Sequence, residues 1–313
     1  MGIYILRRMF SAIVVMAVVG IFIFLLLRLA PSDPAAIIAG PMATEQMIAG
    51  IRKQLGLNEP LPVQFAHWAL GVLRGDFGTS IFSSRPVLEL LSQRVEPTIS
   101  LSILTLIISV SIGVSFGILA AWRAGGIVDR VLAVFAAIGF SVPVFVVGYF
   151  LVYLLAVRTH LLPVQGYRPM EQGLGPWLVH LILPSATLSV PYIAFIARIT
   201  RASMLEVLSE DYMRTAVAKG ASTYAILFHH ALKNAGVPIL TVIGISFAYL
   251  MSGVVLTETV FNIPGVGRLV VDAIAQRDYP IIQSVLILVS GLYVLINLAV
   301  DLSYTLVDPR IRY

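Results

Sequence analysis

Long apolar stretches separated by shorter polar segments dominate the chain. A membrane-spanning helix needs about 20 apolar residues to cross a hydrocarbon core of about 30 Å, and six stretches meet this requirement. Because they show no period-two alternation, they predict helices rather than the strands of a barrel. The predicted spans are residues 9–30, 98–122, 131–157, 177–200, 235–257 and 281–306.

Composition supports a membrane-embedded chain. Of 313 residues, 58% are hydrophobic and 12% are charged, whereas soluble domains carry about 25% charged residues. The net charge of +5 does not indicate nucleic-acid binding, because Lys and Arg form no run. The absence of cysteine excludes disulfides and thiolate metal sites. The first stretch has no small-residue cleavage site at its end, which predicts a retained span rather than a signal peptide.

The distribution of basic residues predicts the orientation. With the N-terminus in the cytoplasm, the segments on that side carry eleven Lys and Arg residues against five Asp and Glu residues. The outer segments carry ten of each, with Asp301 in the last span left out. Since basic residues concentrate in cytoplasmic loops, both termini and the polar segment 209–234 are predicted to be cytoplasmic.

This pattern divides the chain into three regions. Residues 1–30 form an N-terminal tail and the first span, residues 31–97 a large external segment, and residues 98–313 a core that carries segment 209–234. The external segment contains two amphipathic runs, starting near Thr44 and Pro62, which predict helices packed on the outer face of the spans. Docking of an external partner is the alternative.

Segment 209–234 has a helix-compatible pattern. Tyr212, Ala216 and Gly220 follow one another at intervals of four and predict one helical face with a small-residue notch. Such a notch permits close seating in the groove of a partner. The alternative is an amphipathic helix on the inner leaflet, with Arg214 and Lys219 as lipid contacts.

Small residues and prolines in the spans predict local packing and bends. Gly113 and Gly117 form a G-x-x-x-G pair, which predicts close helix packing within the chain, with a subunit interface as the alternative. Pro143, Pro184 and Pro191 remove helical hydrogen bonds and predict kinks.

Catalytic and metal-binding signatures do not occur. The sequence has no G-x-x-x-x-G-K-[ST], G-x-S-x-G or H-E-x-x-H motif, and the adjacent His229 and His230 would point about 100° apart on a helix. Asp301 is predicted to be paired near the interface rather than to relay protons. Arginines at span ends are predicted to snorkel, namely Arg28, Arg158, Arg198 and Arg201. Solvated loop charges are predicted at Asp76, Glu258, Asp272 and Asp278, and contact with a solute or an external protein is the alternative.

Residues 212–220 read YMRTAVAKG. They resemble the cytoplasmic loop motif of permease subunits of ATP-binding cassette importers, E-A-A, three residues, G, nine residues, I-x-L-P. Arg214 and Thr215 replace the Glu and the first Ala, and this variant is similar to the dipeptide, oligopeptide and nickel branch. The resemblance assigns coupling to the ATPase to Tyr212, Arg214, Thr215, Ala216, Lys219 and Gly220.

Further motifs along the chain resemble the first of that branch's two permease subunits. The resemblance implies an all-α integral membrane protein of the bacterial inner membrane, with six transmembrane helices of type I importer architecture. It also implies a large external segment after helix 1 and a cytoplasmic coupling helix between helices 4 and 5. The motifs are residues 5–8, 28–34, 55–61, 75–80, 257–261, 264–267, 277–280 and 308–310.

The resemblance also implies function and partners. The chain would be a non-catalytic permease subunit of an ATP-driven importer of di- or oligopeptides and would form half of the translocation path. A second homologous permease, two cytoplasmic ATPases and an external solute-binding protein would complete the complex within the lipid. ATP and Mg²⁺ would be bound by the ATPases, and this chain would hold no cofactor. The alternatives are a nickel or glutathione importer permease or, from a different class, an ion-coupled secondary transporter.

Overall fold

The computed structural model describes residues 2–28, 33–40, 42–54 and 56–307. Within these ranges the chain is helical, and its only β pairing is an isolated bridge between Thr79 and Pro86. Motif residues 29–32, 55 and 308–310 lie outside the described residues. The helices are α1 Gly2–Arg28, α2 Pro34–Ala39, α3 Glu45–Gln54, α4 Leu61–Leu73, α5 Val87–Trp122, α6 Ile127–Ser141, α7 Val144–Leu151, α8 Leu174–Leu208, α9 Asp211–Ala218, α10 Leu232–Asn234, α11 Gly236–Val260, α12 Val266–Gln276 and α13 Tyr279–Val307.

Four helices are long and apolar enough to cross a membrane, and two bent pairs raise the number to as many as six if each pair is one span. The predicted all-helical membrane class is therefore confirmed, while the count of six stays a prediction. The four are Leu6–Leu25, Val87–Trp122, Leu174–Leu208 and Tyr279–Ser303, and the pairs are Ile127–Ser141 with Val144–Arg158 and Ala225–Asn234 with Gly236–Met251.

The described residues group into two compact units. The larger contains Pro97–Pro264 and the residues from Leu295 onward, and the smaller contains Gly2–Glu96 and Gly265–Val294. The boundaries predicted from sequence at residues 30 and 97 concern placement across the membrane and stay a prediction.

The third predicted span, 131–157, is broken at a proline. Val142 has an extended backbone, Pro143 precedes α7, and the two helices meet at 105°. A residue before proline avoids the helical conformation, and proline donates no hydrogen bond, so the chain bends here. In contrast, α8 continues through Pro184 and Pro191.

Helix α8 forms the centre of the larger unit. It packs against α6, α7 and α11. Its buried surface includes the small polar residues Ser185, Thr187 and Ser189. The Thr187 hydroxyl donates to the Leu183 carbonyl at 2.9 Å. Small residues allow close approach between helices, and internal hydroxyl bonds satisfy polar groups away from water.

Gly113 and Gly117 lie where α5 approaches α8 of the same chain. A Cβ atom on Gly113 would lie 3.0 Å from the Cβ of Ile196. On Gly117 it would lie 2.6 Å from the Cβ of Thr200 and 2.7 Å from the Ala197 carbonyl oxygen. This placement favours packing within the chain, and the contribution of the two glycines to stability stays a prediction.

Arg201 forms an ion pair that the sequence did not predict, and its snorkelling stays a prediction. Its Nε and Nη2 atoms donate to the two carboxylate oxygens of Asp129 at 2.5 and 2.7 Å. The Gly125 amide donates to the same carboxylate at 2.9 Å. The two residues are 72 positions apart in sequence. Their pairing could not be predicted, because each span was considered separately.

The smaller unit contains the two amphipathic helices predicted in the external segment, α3 and α4. Phe24 of α1 packs against Phe65 and Trp68 of α4, with ring centroids 5.4 and 5.7 Å apart. Asp33 caps α2 through the Ala35 amide. A hydrogen bond from Arg52 and this amide hold the pKa of Asp33 below its ordinary value.

Two acidic residues predicted to be solvated are buried, and that prediction is wrong for them. In the smaller unit, Asp278 is 1% exposed and accepts a hydrogen bond from the Ser80 hydroxyl at 2.5 Å. In the larger unit, Glu258 is fully buried in α11 and accepts one from the Thr98 hydroxyl at 2.5 Å. These donors offset part of the cost of burying a carboxylate. The other two acids are exposed as predicted, namely Asp76 and Asp272.

Candidate functional site

Segment 209–234 folds into a short helix, a turn and a second helical stretch. Helix α9 begins after Glu210, whose backbone is extended, and has Asp211 in its first turn, where a carboxylate favours the positive end of the helix dipole. A π-helical stretch, Ala225–Ala231, leads through α10 into α11. The segment is thus joined directly to α8 at one end and to α11 at the other.

Gly220 ends the helix instead of extending its face. The Gly220 amide bonds to the Val217 carbonyl at 2.9 Å, and the Ala221 amide bonds to the Ala216 carbonyl at 3.1 Å. This is a Schellman motif, in which the residue after the cap adopts positive φ, and Gly220 has φ +80°. The predicted continuous face through Tyr212, Ala216 and Gly220 is therefore wrong at its third member, because the helix stops at Ala218.

Met213 anchors α9 to the rest of the larger unit. It is 2% exposed and belongs to a buried apolar cluster with side chains from α5, α8 and α11. Burying a methionine side chain contributes about 1.5–3 kcal/mol, so this residue helps to hold α9 on the cluster. The cluster, which we call the anchor cluster, consists of Ile118, Ala121, Met204, Met213, Leu227, Ala231, Ala235 and Ile239.

Tyr212 adds a polar link between α9 and the end of α10. The Asn234 side-chain amide donates to the Tyr212 hydroxyl at 3.0 Å and to the His230 carbonyl at 2.9 Å. The tyrosine was predicted to bound a seating notch, but its hydroxyl faces its own chain. The residue is 45% exposed, so it can also contact a partner.

The rest of the surface of α9 is open. The side chain of Arg214 is 78% exposed and lies 3.5 Å from the carboxylate of Asp211. An ion pair this exposed contributes little stability, so both charges are available to a partner. Thr215 and Lys219 are exposed, Ala216 is half-buried, and Val217 is 58% exposed.

An exposed aromatic pair in the same segment was missed by sequence reasoning. The rings of Tyr224 and Phe228 lie 4.8 Å apart, and the residues are 65% and 43% exposed. Their i, i+4 spacing was the available signal, because residues at that spacing are neighbours on a helix.

Helix α9 presents an exposed surface without a metal-binding cluster among the described residues. Among the described residues, no three His, Cys, Asp or Glu side chains are placed to hold a metal ion. What α9 presents is a short rigid surface, anchored by Met213 and exposing Arg214 and Val217.

Comparisons with known proteins agree with a transport role. Residues 113–313 match the family described as "Binding-protein-dependent transport system inner membrane component", and residues 1–102 match "Binding-prot-dependent transport system membrane comp, N-term". The chain is 77% identical over 313 residues, 100% of both chains, to a probable peptide ABC transporter permease protein, y4tP, of Sinorhizobium fredii.

More distant similarities point the same way. The glutathione transport system permease protein GsiC of Salmonella choleraesuis is 45% identical over 311 residues, which is 99% of each chain. A solved chain of the MetNI methionine ABC transporter in an inward facing conformation has a TM-score of 0.57 at 20% identity. That similarity covers 71% of this chain and 97% of the other and shows a shared fold. The chain therefore belongs to the family of inner membrane components of binding-protein-dependent transport systems, as a multi-pass permease subunit of an ABC importer.

Proposed function

We propose that this permease imports di- or oligopeptides and forms half of a translocation path. A second homologous permease supplies the other half, and an external binding protein delivers the solute. Two cytoplasmic ATPases bind ATP and Mg²⁺, and each holds one loop helix. This chain catalyses no bond cleavage and needs no cofactor of its own.

The anchoring of α9 is the observation that carries the proposal. Because Met213 is buried in one cluster with residues of α5, α8 and α11, a displacement of α9 would be transmitted to these helices through the cluster. Rigid-body motion of packed elements is an established way to alternate between two conformations. Docking of the ATPase on the open face of α9 would therefore drive the permease.

The orientation of the chain follows from the same proposal. The ATPases are cytoplasmic, so α9 lies in the cytoplasm, and the excess of basic residues on that side agrees with it. Both termini are then cytoplasmic as well.

The choice of substrate rests on the relatives. One relative is named a peptide permease and another a glutathione permease, and glutathione is itself a tripeptide. A peptide substrate is therefore consistent with the names of both relatives. A glutathione or nickel importer of the same family is the alternative.

Uptake into proteoliposomes tests the proposal. The chain, its partner permease, both ATPases and the binding protein are reconstituted and supplied with labelled dipeptide, tripeptide, glutathione or a nickel complex. We expect peptide uptake that requires ATP and the binding protein. Preferential uptake of nickel would overturn the substrate class.

A second arm of that experiment addresses the ion-coupled transporter. This chain alone is placed under a proton or sodium gradient, with Asp301→Asn as the comparison variant. We expect no uptake by either. Gradient-driven uptake that Asp301→Asn abolishes would overturn the importer mechanism.

A further inference from the structure

A groove runs between α6 and α8 in the larger unit, apart from α9 and the anchor cluster. It encloses ≈ 500 Å³. On α6, Arg130, Ala133, Ala137 and Phe140 line it and are all exposed. Their spacing of three and four places them on one face of the helix. The two alanines leave an open trough that larger side chains would fill.

The groove carries an excess of positive charge. Arg198 and Arg201 of α8 line it together with Asp129 and Arg130. The Asp129 carboxylate is used by Arg201. In the described part of the chain, no acidic side chain lies within ion-pair distance of Arg130 or Arg198. Two guanidinium groups are therefore free to bind an anion.

Between these charges the lining is apolar, and the groove lies beside an apolar outer surface of α6. Arg198 extends over Phe140, with its guanidinium carbon 5.3 Å from the ring centroid. Beside the groove, Val131, Val134 and Ile138 of α6 are 52%, 59% and 54% exposed. Exposed apolar side chains on a membrane-spanning helix contact acyl chains or another membrane protein.

We propose that this groove binds an anionic phospholipid. The headgroup lies in the trough over Ala133 and Ala137 with its phosphate between Arg130 and Arg198, and one acyl chain follows the exposed apolar surface of α6 beside the groove. The charge complements a phosphate, and the amphipathic lining complements a lipid rather than a free anion. Basic pockets between membrane helices on the cytoplasmic side bind anionic headgroups in this way. The orientation proposed above places Arg130 and the start of α6 at the cytoplasmic leaflet.

Native mass spectrometry of the assembled transporter, released from nanodiscs, tests the site. The nanodiscs contain equal amounts of phosphatidylglycerol and phosphatidylcholine. We expect phosphatidylglycerol to be retained preferentially and Arg130→Gln/Arg198→Gln to weaken its binding. Each basic residue near a membrane surface contributes about a fivefold effect, so the double variant is expected to lose roughly 25-fold. Arg201 is left unchanged because it pairs with Asp129.

Two further variants distinguish the site from general electrostatic attraction. Arg123→Gln removes a charge from the neighbouring loop, where the arginine stacks on Trp122 outside the groove, and should leave retention unchanged. Ala137→Leu keeps every charge but fills the trough, and should reduce retention severalfold.

Three results would overturn the proposal. They are equal retention of the two lipids, equal losses in Arg123→Gln and in the double variant, and displacement of the lipid by millimolar inorganic phosphate. The last result would identify a site for soluble anions. Absence of lipid from the assembled transporter would identify the groove as a contact with the second permease.

Discussion

Gly117→Ala is expected to destabilise the permease by about 1–3 kcal/mol or more, although alanine is the better helix former. In a helix interior, replacing glycine by alanine contributes about 1 kcal/mol of stability. Here the added methyl group would lie 2.6 Å from the Cβ of Thr200 and 2.7 Å from the Ala197 carbonyl oxygen. Neither atom is the end of a flexible side chain, so α5 and α8 must separate, and overpacking outweighs the gain.

Thermal unfolding of the purified chain in detergent measures this effect. Gly50→Ala is the matched control, since Gly50 is interior to α3 and has no atom within 4 Å of the added methyl position. It should be neutral or stabilising. Gly113→Ala, with its nearest contact at 3.0 Å, should fall between them. If Gly117→Ala unfolds at the wild-type temperature, the close approach of α5 and α8 does not exist in solution.

Met213→Asp is expected to abolish transport while leaving the chain in the membrane. A carboxylate in the anchor cluster would lack a partner in an apolar environment, which costs several kcal/mol, and α9 would detach from α5, α8 and α11. ATP hydrolysis by the complex should then proceed without stimulation by the loaded binding protein.

Further variants at Met213 and one at Tyr212 separate loss of anchoring from loss of folding. Met213→Leu keeps volume and apolarity and should transport normally. Met213→Ala leaves a cavity and should be intermediate. Tyr212→Phe removes only the hydrogen bond from Asn234, which contributes about 1 kcal/mol, and should reduce coupling slightly. Transport by Met213→Asp at the wild-type rate would contradict the role of the anchor.

Apolar length predicted the class of fold well, because the bilayer imposes a minimum length on each helix. Helices α8 and α13 lie close to the predicted spans 177–200 and 281–306. The break at Pro143 was predicted only as a kink, since hydropathy averages over the turn where the chain changes direction. Whether such a bent pair crosses as one span depends on the lipid around it.

The sequence predicted where α9 lies along the chain but not which residues it contacts. The motif around Arg214 and Ala216 located α9, and the family resemblance was confirmed. The role of Met213 as an anchor could not be predicted, because its partners are up to 95 positions away, as Ile118 is. Gly220 was assigned to the helical face by spacing alone, whereas its φ of +80° ends the helix.

Cross-linking from the open face of α9 tests the central claim that this helix docks on the ATPase. The chain contains no cysteine, so Val217→Cys supplies a single thiol at a position that is 58% exposed. A benzophenone maleimide is attached to it in the assembled transporter and photolysed. Val164→Cys, at a 43% exposed position that the proposed orientation places on the outer side, is the control.

We predict a covalent product between this chain and an ATPase subunit from position 217 and none from position 164. Failure to form that product at 217, or its formation equally at 164, would contradict the account.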